Sequence, residues 1–137
     1  MAKRIVNIAP VVGHSSRLLP LGCIVECANT AAKKAKIMAV YGIQGTKRRS
    51  LSAGVGSIVG VTITKGPDDM KGKVMKGVVI RQVAPMRRYG LGKIKFDDNA
   101  ILLTDEKGLV RKGVTRGVIA REITANPLFA EVGGKIV

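Results

Sequence analysis

Apolar and polar residues alternate with a period of two over several short stretches, each bounded by glycine, proline or a charged cluster. From Leu21 to Ala28, the residues Leu21, Cys23, Val25 and Cys27 fall on one face and Gly22, Ile24, Glu26 and Ala28 on the other. That is the pattern of a half-buried strand. Ala35 to Ile43 is a second candidate. Val55 to Ile63 is the strongest, with Val55, Ser57, Val59, Val61 and Ile63 sharing a face. Val74 to Val83 follows a loop over Lys65 to Lys73 that contains Gly66-Pro67. Lys93 to Phe96 and Ala100 to Thr104 are shorter strands, and Asp105-Glu106-Lys107-Gly108 makes a turn.

The two ends read differently. Residues 1–20 carry Pro10, Gly13, Ser15-Ser16 and Pro20 as breakers and form an irregular basic arm. Near the other end Asn126 can cap a helix, Pro127 suits its first position, and Gly133-Gly134 can stop it. This predicts a short helix from about Pro127 to Val132. Five or six short strands with little helix predict a mainly β protein, a small β-barrel with C-terminal helical turns. The chain reads as one domain over 1–137, with the arm at 1–20, the barrel at 21–123 and a helical tail at 124–137.

Composition sharpens this picture. With 46% apolar residues the chain can build a core, and that core is aliphatic. There is no Trp, and the aromatic residues are Tyr41, Tyr89, Phe96 and Phe129. Seventeen glycines among many Val and Ile suit short strands joined by tight turns. No apolar run approaches the roughly 18 residues of a membrane span. Lys3-Arg4 followed by Ile5 to Val12 faintly imitates a signal peptide, but Asn7 and Pro10 interrupt it and no cleavage site follows. An intracellular protein with no membrane partner is expected.

Charge changes the picture most. The chain holds 24 Lys+Arg against 9 Asp+Glu, a net +15. The excess is concentrated toward the N-terminus, where residues through Arg49 include nine cations and the single acid Glu26. A solubilising surface needs only about 2–8 net charges on a small domain. Self-repulsion of this size does not stabilise a free protein, so a polyanion that neutralises it is expected. RNA or DNA is the commonest such partner.

Catalytic chemistry is poorly supported. His14, the one histidine, sits in the irregular arm. Cys23 and Cys27 on one strand would be about 13 Å apart. One zinc with bonds of about 2.3 Å cannot span that, and a disulfide needs Cα atoms within about 7 Å. They read as buried small hydrophobes. Asp68-Asp69 and Asp97-Asp98 are adjacent, and neighbours on a strand point to opposite faces, so neither pair is a shared-proton dyad. Gly54-Val55-Gly56 lacks the third glycine and following helix of a dinucleotide fingerprint and reads as a tight lead-in to a strand. No enzyme activity, metal or cofactor is expected.

Binding chemistry is better supported. Lys47-Arg48-Arg49 follows Gly45, and Arg87-Arg88-Tyr89 precedes Gly90. Both lie in loops between apolar strands, where long cationic side chains reach phosphates without burial. Arg offers a planar fork to phosphate oxygens, and Tyr89 can stack on an unpaired base. Val74 to Val83 and Lys93 to Phe96 flank the second cluster, which predicts a projecting hairpin turned by Gly90 and Gly92. Only Tyr41 and Tyr89 are available as stacking platforms, so backbone and shape recognition of folded RNA fits better than reading an extended strand. The expected RNA-binding set is Lys3, Arg4, Arg17, Lys33, Lys34, Lys47, Arg48, Arg49, Arg81, Arg87, Arg88 and Tyr89.

A family pattern runs through the same residues. Ala53-Gly54-Val55-Gly56-Ser57, Lys65-Gly66-Pro67, Val78-Val79-Ile80-Arg81-Gln82 and Phe96-Asp97-Asp98-Asn99-Ala100 occur in this order. Leu19-Pro20-Leu21-Gly22 and the run from Gly113 to Glu122 extend it over most of the chain from Leu19 onward. The chain resembles the universal large-subunit ribosomal protein L-fourteen family. Val78 to Gln82 and the basic arm resemble its archaeal and eukaryotic branch, called L-twenty-three in older eukaryotic naming. The resemblance implies a five-stranded β-barrel with a small helical C-terminal part. It also implies contacts to large-subunit rRNA, neighbouring ribosomal proteins, and a place at the interface with small-subunit rRNA. Family members also serve as docking sites for subunit anti-association factors. A cytoplasmic ribosomal location follows, with nucleolar assembly in a eukaryote. The alternative is an extra-ribosomal nucleic-acid-binding β-barrel.

The chain departs from the family pattern at two places. An Asp-Asn-Ser/Thr-Gly turn is usual after the first cysteine-containing strand, whereas here Cys27-Ala28 runs into Asn29-Thr30-Ala31-Ala32, without the Asp and Gly and one residue shorter. Val118 stands where a proline is usual.

Overall fold

The computed structural model describes residues 18–42, 51–88, 90–110, 114–125, 129 and 133–137. Its larger strands are β2 (Ile24–Cys27), β3 (Lys34–Val40), β5 (Ile58–Lys65), β6 (Val74–Arg81) and β9 (Ala100–Thr104). These five pair in a ring, β2-β3-β5-β6-β9, and β9 returns to β2 to close a barrel. All neighbours are antiparallel except the closing pair, where Glu26 lies opposite Ala100 and Cys27 opposite Ile101 in parallel.

Short pairs decorate the barrel. β1 (Leu19–Pro20) pairs with β4 (Ser52–Ala53), β7 (Met86–Arg88) with β8 (Gly92–Ile94), and β10 (Val118–Ile119) in parallel with β11 (Lys135–Ile136). A 3-10 helix occupies Arg121–Ala125.

The period-two pattern explains which face each strand buries. In β2, Val25 and Cys27 point inward while Ile24 and Glu26 are exposed. In β5, Val59, Val61 and Ile63 are all at most 1% exposed. β3 buries Ala35 and Ile37, then skips a step to bury Val40. The register against β5 shifts between Ile37 and Ala39, so a bulge resets the alternation there. β9 and the second half of β6 are buried on both faces. One face looks into the barrel; over the other face of β6 lies the segment after Val114, with the Ala120 N–H donating to Ile80 C=O at 3.3 Å. The core is aliphatic, with Phe129 its one fully buried aromatic ring among the described residues.

The mainly β character expected from the alternation holds, and several boundaries differ. Leu21 and Gly22 form a turn rather than the start of a strand, because Gly22 takes φ +87° and Leu21 faces solvent. The strand expected from Val55 begins at Ile58, after a turn in which the Ser57 N–H donates to Gly54 C=O at 3.1 Å. Val74 to Val83 ends at Arg81, where the chain leaves the sheet. Leu19 and Pro20, at the end of the expected irregular arm, are paired into β1. Asp97 and Asp98 lie in a bend rather than on a strand. The expected helix from Pro127 to Val132 falls, except for Phe129, outside the described residues; the 3-10 helix precedes it.

Candidate nucleic-acid interface

The hairpin expected around Arg87 is present, and its two strands are β7 and β8. Met86 lies opposite Ile94, Arg87 opposite Lys93 and Arg88 opposite Gly92. Gly90 at φ +75° and Gly92 at φ +81° turn the chain in a region that side chains disfavour. Leu91 N–H donates to Arg88 C=O at 3.3 Å. The hairpin is not hydrogen-bonded into the barrel sheet.

Alternation gives the hairpin two unlike faces. Met86, 1% exposed, joins the core, and Arg88 points the same way. Arg88 Nε donates to Glu122 Oε1 at 2.6 Å and Arg88 Nη2 to Glu122 Oε2 at 2.9 Å. Nη2 also donates to Val137 O at 2.9 Å. Both side chains of this bidentate pair are 11% exposed, a geometry that makes charge-assisted bonds strong and directional. Arg87 and Lys93 are exposed on the other face, and Lys95 beyond them is exposed too.

A second cationic region lies where β2 turns into β3. A cavity of about 320 Å³ is lined by Glu26, Cys27, Ala28, Lys33, Lys34, Arg81 and Arg116. Three residues expected at RNA from the sequence, Lys33, Lys34 and Arg81, thus come together. Lys33 and Lys34 are exposed. Arg81 is only 7% exposed and its guanidinium is occupied internally. Its Nε lies 2.9 Å from Asp98 Oδ1, and Nη2 donates to Asp98 Oδ2 at 3.0 Å. Nη1 donates to Arg116 O at 3.1 Å and Val118 O at 2.9 Å. Gly117, at φ +82°, lies against this group, and a Cβ there would collide with Arg81 Nη1.

The loop that departs from the family pattern is held by two side chains. Arg116 Nη2 donates to the carbonyls of Cys27 at 2.7 Å, Thr30 at 2.8 Å and Ala32 at 3.3 Å. Asn29 Oδ1 accepts from Leu103 N–H and its Nδ2 donates to Leu103 C=O, both at 2.9 Å. Since Ala28 N–H already donates to Ile101 C=O at 2.9 Å, Asn29 extends the parallel β2–β9 ladder by one step with its side chain.

Other expected features fall as follows. Cys27 is buried and Cys23 half-buried, and both are free thiols. Burial pushes the Cys27 thiol up to about 11, against a smaller opposing pull from Arg116. Tyr41 is 45% exposed, and the Lys76 ammonium sits 5.5 Å from its ring centroid. Among the described residues no group of three or more His, Cys, Asp or Glu could hold a metal, and no helix is long and apolar enough to cross a membrane. Lys3, Arg4, His14, Arg17, Lys47, Arg48, Arg49 and Tyr89 lie outside the described residues.

Sequence reasoning missed Lys93, Arg116 and Glu122 as parts of these sites. The alternation Lys93-Ile94-Lys95 carried a signal for the first, since it places both lysines on one strand face. Glu122 has no local signal, because its partner is 34 residues away.

Comparison with known proteins bears on most of the chain. A family model described as ribosomal protein L14p/L23e matches residues 18–132. A curated relative named large ribosomal subunit protein uL14, from Haloarcula marismortui, is 41% identical over 106 residues, covering 77% of this chain and 80% of the relative. The protein of the same name from Methanoregula boonei is 41% identical over 108 residues, covering 78% and 82%. That from Halorubrum lacusprofundi is 40% identical over 106 residues. With the glycine-led turn before β5, the Arg81–Asp98 pair and the basic hairpin all lying inside the matched span, the chain belongs to the ribosomal protein L14p/L23e family.

Proposed function

We propose that this protein is a non-catalytic structural component of the large ribosomal subunit that binds large-subunit rRNA and faces the small subunit. The family match over residues 18–132 carries this reading, and the net charge of +15 supplies its physical reason. Phosphate neutralisation releases condensed counterions and removes the self-repulsion of the cations. The exposed cations Lys33, Lys34 and Arg87 are assigned to phosphates, together with Lys3, Arg4, Arg17, Lys47, Arg48, Arg49 and the ring of Tyr89. Arg81 and Arg88, whose guanidinium groups already have carboxylate partners, act instead by holding the exposed cations in place. Neighbouring ribosomal proteins, small-subunit rRNA across the interface and a subunit anti-association factor complete the set of partners. The working location is the cytoplasmic ribosome, with nucleolar assembly in a eukaryotic cell.

Sedimentation tests the reading. The tagged full chain should travel with large subunits at close to one copy per particle and should be scarce in the free fraction. Recovery mainly as free protein or on other nucleic acid would favour an extra-ribosomal barrel and refute the ribosomal assignment.

A further inference from the structure

We propose that the outer face of the β7–β8 hairpin is a phosphodiester-binding site in which Arg87 and Lys93 together grip the backbone of folded RNA, and that the Arg88–Glu122 pair sets the angle at which they are presented. The proposal rests on the RNA-binding reading above and assigns its chemistry to particular atoms.

The first observation is a repulsion left in place. Arg87 and Lys93 are directly opposed across the antiparallel pair, where Cβ atoms lie about 4.5–5.5 Å apart. Like charges so placed destabilise a sheet. Among the described residues no carboxylate forms an ion pair with either. A phosphodiester between the two side chains turns the repulsion into attraction on both sides. Arg supplies a fork of donors and Lys a mobile point charge, so one phosphate group can accept from both.

The second observation is preorganisation. A two-stranded hairpin outside the barrel sheet would by itself be poorly ordered. Here the inner face is fixed twice, by Met86 in the core and by the two hydrogen bonds from Arg88 to Glu122. Holding the backbone in its binding geometry before RNA arrives reduces the ordering cost of association. Arg88 is therefore a positioning residue, and its charge is spent inside the protein. A solubilising loop has no use for a buried bidentate anchor of this kind.

The test measures binding of the full chain to an in vitro transcript of large-subunit rRNA across a salt series. Arg87→Ala and Lys93→Ala should each weaken binding, and the double variant, which loses the shared phosphate, should flatten the logarithmic salt slope by about 0.7–0.9. Glu122→Gln separates position from charge. It makes a basic protein one unit more positive, so charge alone predicts tighter binding; the clasp predicts weaker binding at every salt concentration with no fall in slope. Exchanging the pair, Arg88→Glu with Glu122→Arg, should recover most of that loss, which guards against a fold defect in the single variant. A steep slope in the unmodified chain that the double variant Arg87→Ala with Lys93→Ala leaves unchanged overturns the site and spares the RNA-binding reading. An unmodified chain with no salt-dependent binding overturns both. Glu122→Gln binding as tightly as the unmodified chain, or more tightly, overturns the positioning role.

Discussion

Asn29 makes two hydrogen bonds to one residue, and removing them gives a sharp test of how the barrel is closed. Asn29→Ala leaves Leu103 N–H and C=O facing the space the amide filled. In a strand these two groups of one residue point toward the same neighbour, and Leu103 is fully buried. A buried backbone group without its partner costs about 1–3 kcal/mol. Two such groups would cost about 2–6 kcal/mol; Asn29 itself is half-buried, so water entering from that side lowers the expectation to about 2–4 kcal/mol. Urea unfolding followed by circular dichroism should show the midpoint falling with the m-value unchanged. The thermal midpoint should drop by roughly 10 °C for a chain of this size. Asn29→Asp refines the test. It keeps an acceptor toward Leu103 N–H but turns a second oxygen toward Leu103 C=O, so at neutral pH it should be at least as damaging as Ala. It should recover below about pH 4, where the carboxyl gains a proton and can donate. A change under about 0.5 kcal/mol for Asn29→Ala would refute the view that this side chain acts as part of the ladder.

Val61, Gly117 and Cys27 each carry a further expected outcome. Val61→Ala, at a position with no exposure, should cost about 1–3 kcal/mol through lost transfer and cavity terms, read as a lower urea midpoint; an unmoved midpoint would remove Val61 from the core. Gly117→Ala places a methyl against Arg81 at φ +82° and displaces its guanidinium from Asp98 and the Arg116 and Val118 carbonyls, so a loss of about 2 kcal/mol or more is expected, and one below about 1 kcal/mol would contradict it. For Cys27, raised from 9.0 to about 11, the native state holds its proton where the unfolded state has lost it. Stability should therefore fall as pH rises from about 9 to 11; Cys27→Ala should lack that component, and parallel pH curves for the two proteins would refute it.

Alternation marks the strands in which a single face is buried, whereas β9, legible too over Ala100 to Thr104, is a short apolar run. Val59, Val61 and Ile63 announce β5, and Val25 and Cys27 announce β2, because neighbours in the chain then differ sharply in polarity. Met86-Arg87-Arg88, one apolar residue and two charges, reads as loop, and what makes it the strand β7 is its pairing with β8. β9 shows no alternation because both of its faces are covered. In the candidate site, the basic clusters were visible as charge, but charge does not tell which arginine is free. Arg81 and Arg88 are held by Asp98 and Glu122, partners 17 and 34 residues away, and only the fold brings them together. The structural effect of the shortened turn after Cys27 was equally hidden, since Asn29 and Arg116 repair it through side chains that bond distant backbone.

The parallel seam between β2 and β9 has a consequence in time. The barrel's earliest strand ends at Cys27, and the strand that completes it begins at Ala100. A ribosome elongating at about 5–20 residues per second needs roughly 4–15 s to make the intervening chain. During that interval β2 has an open edge whose N–H and C=O groups have no native neighbour on that side, in a chain whose first part is its most cationic. Non-local closure of this kind is also slow once the strands are available. A nascent copy is therefore exposed both to edge pairing with other chains and to nonspecific capture by RNA until residue 104 has been made. Its yield in cells should depend on how soon after synthesis that seam is sealed.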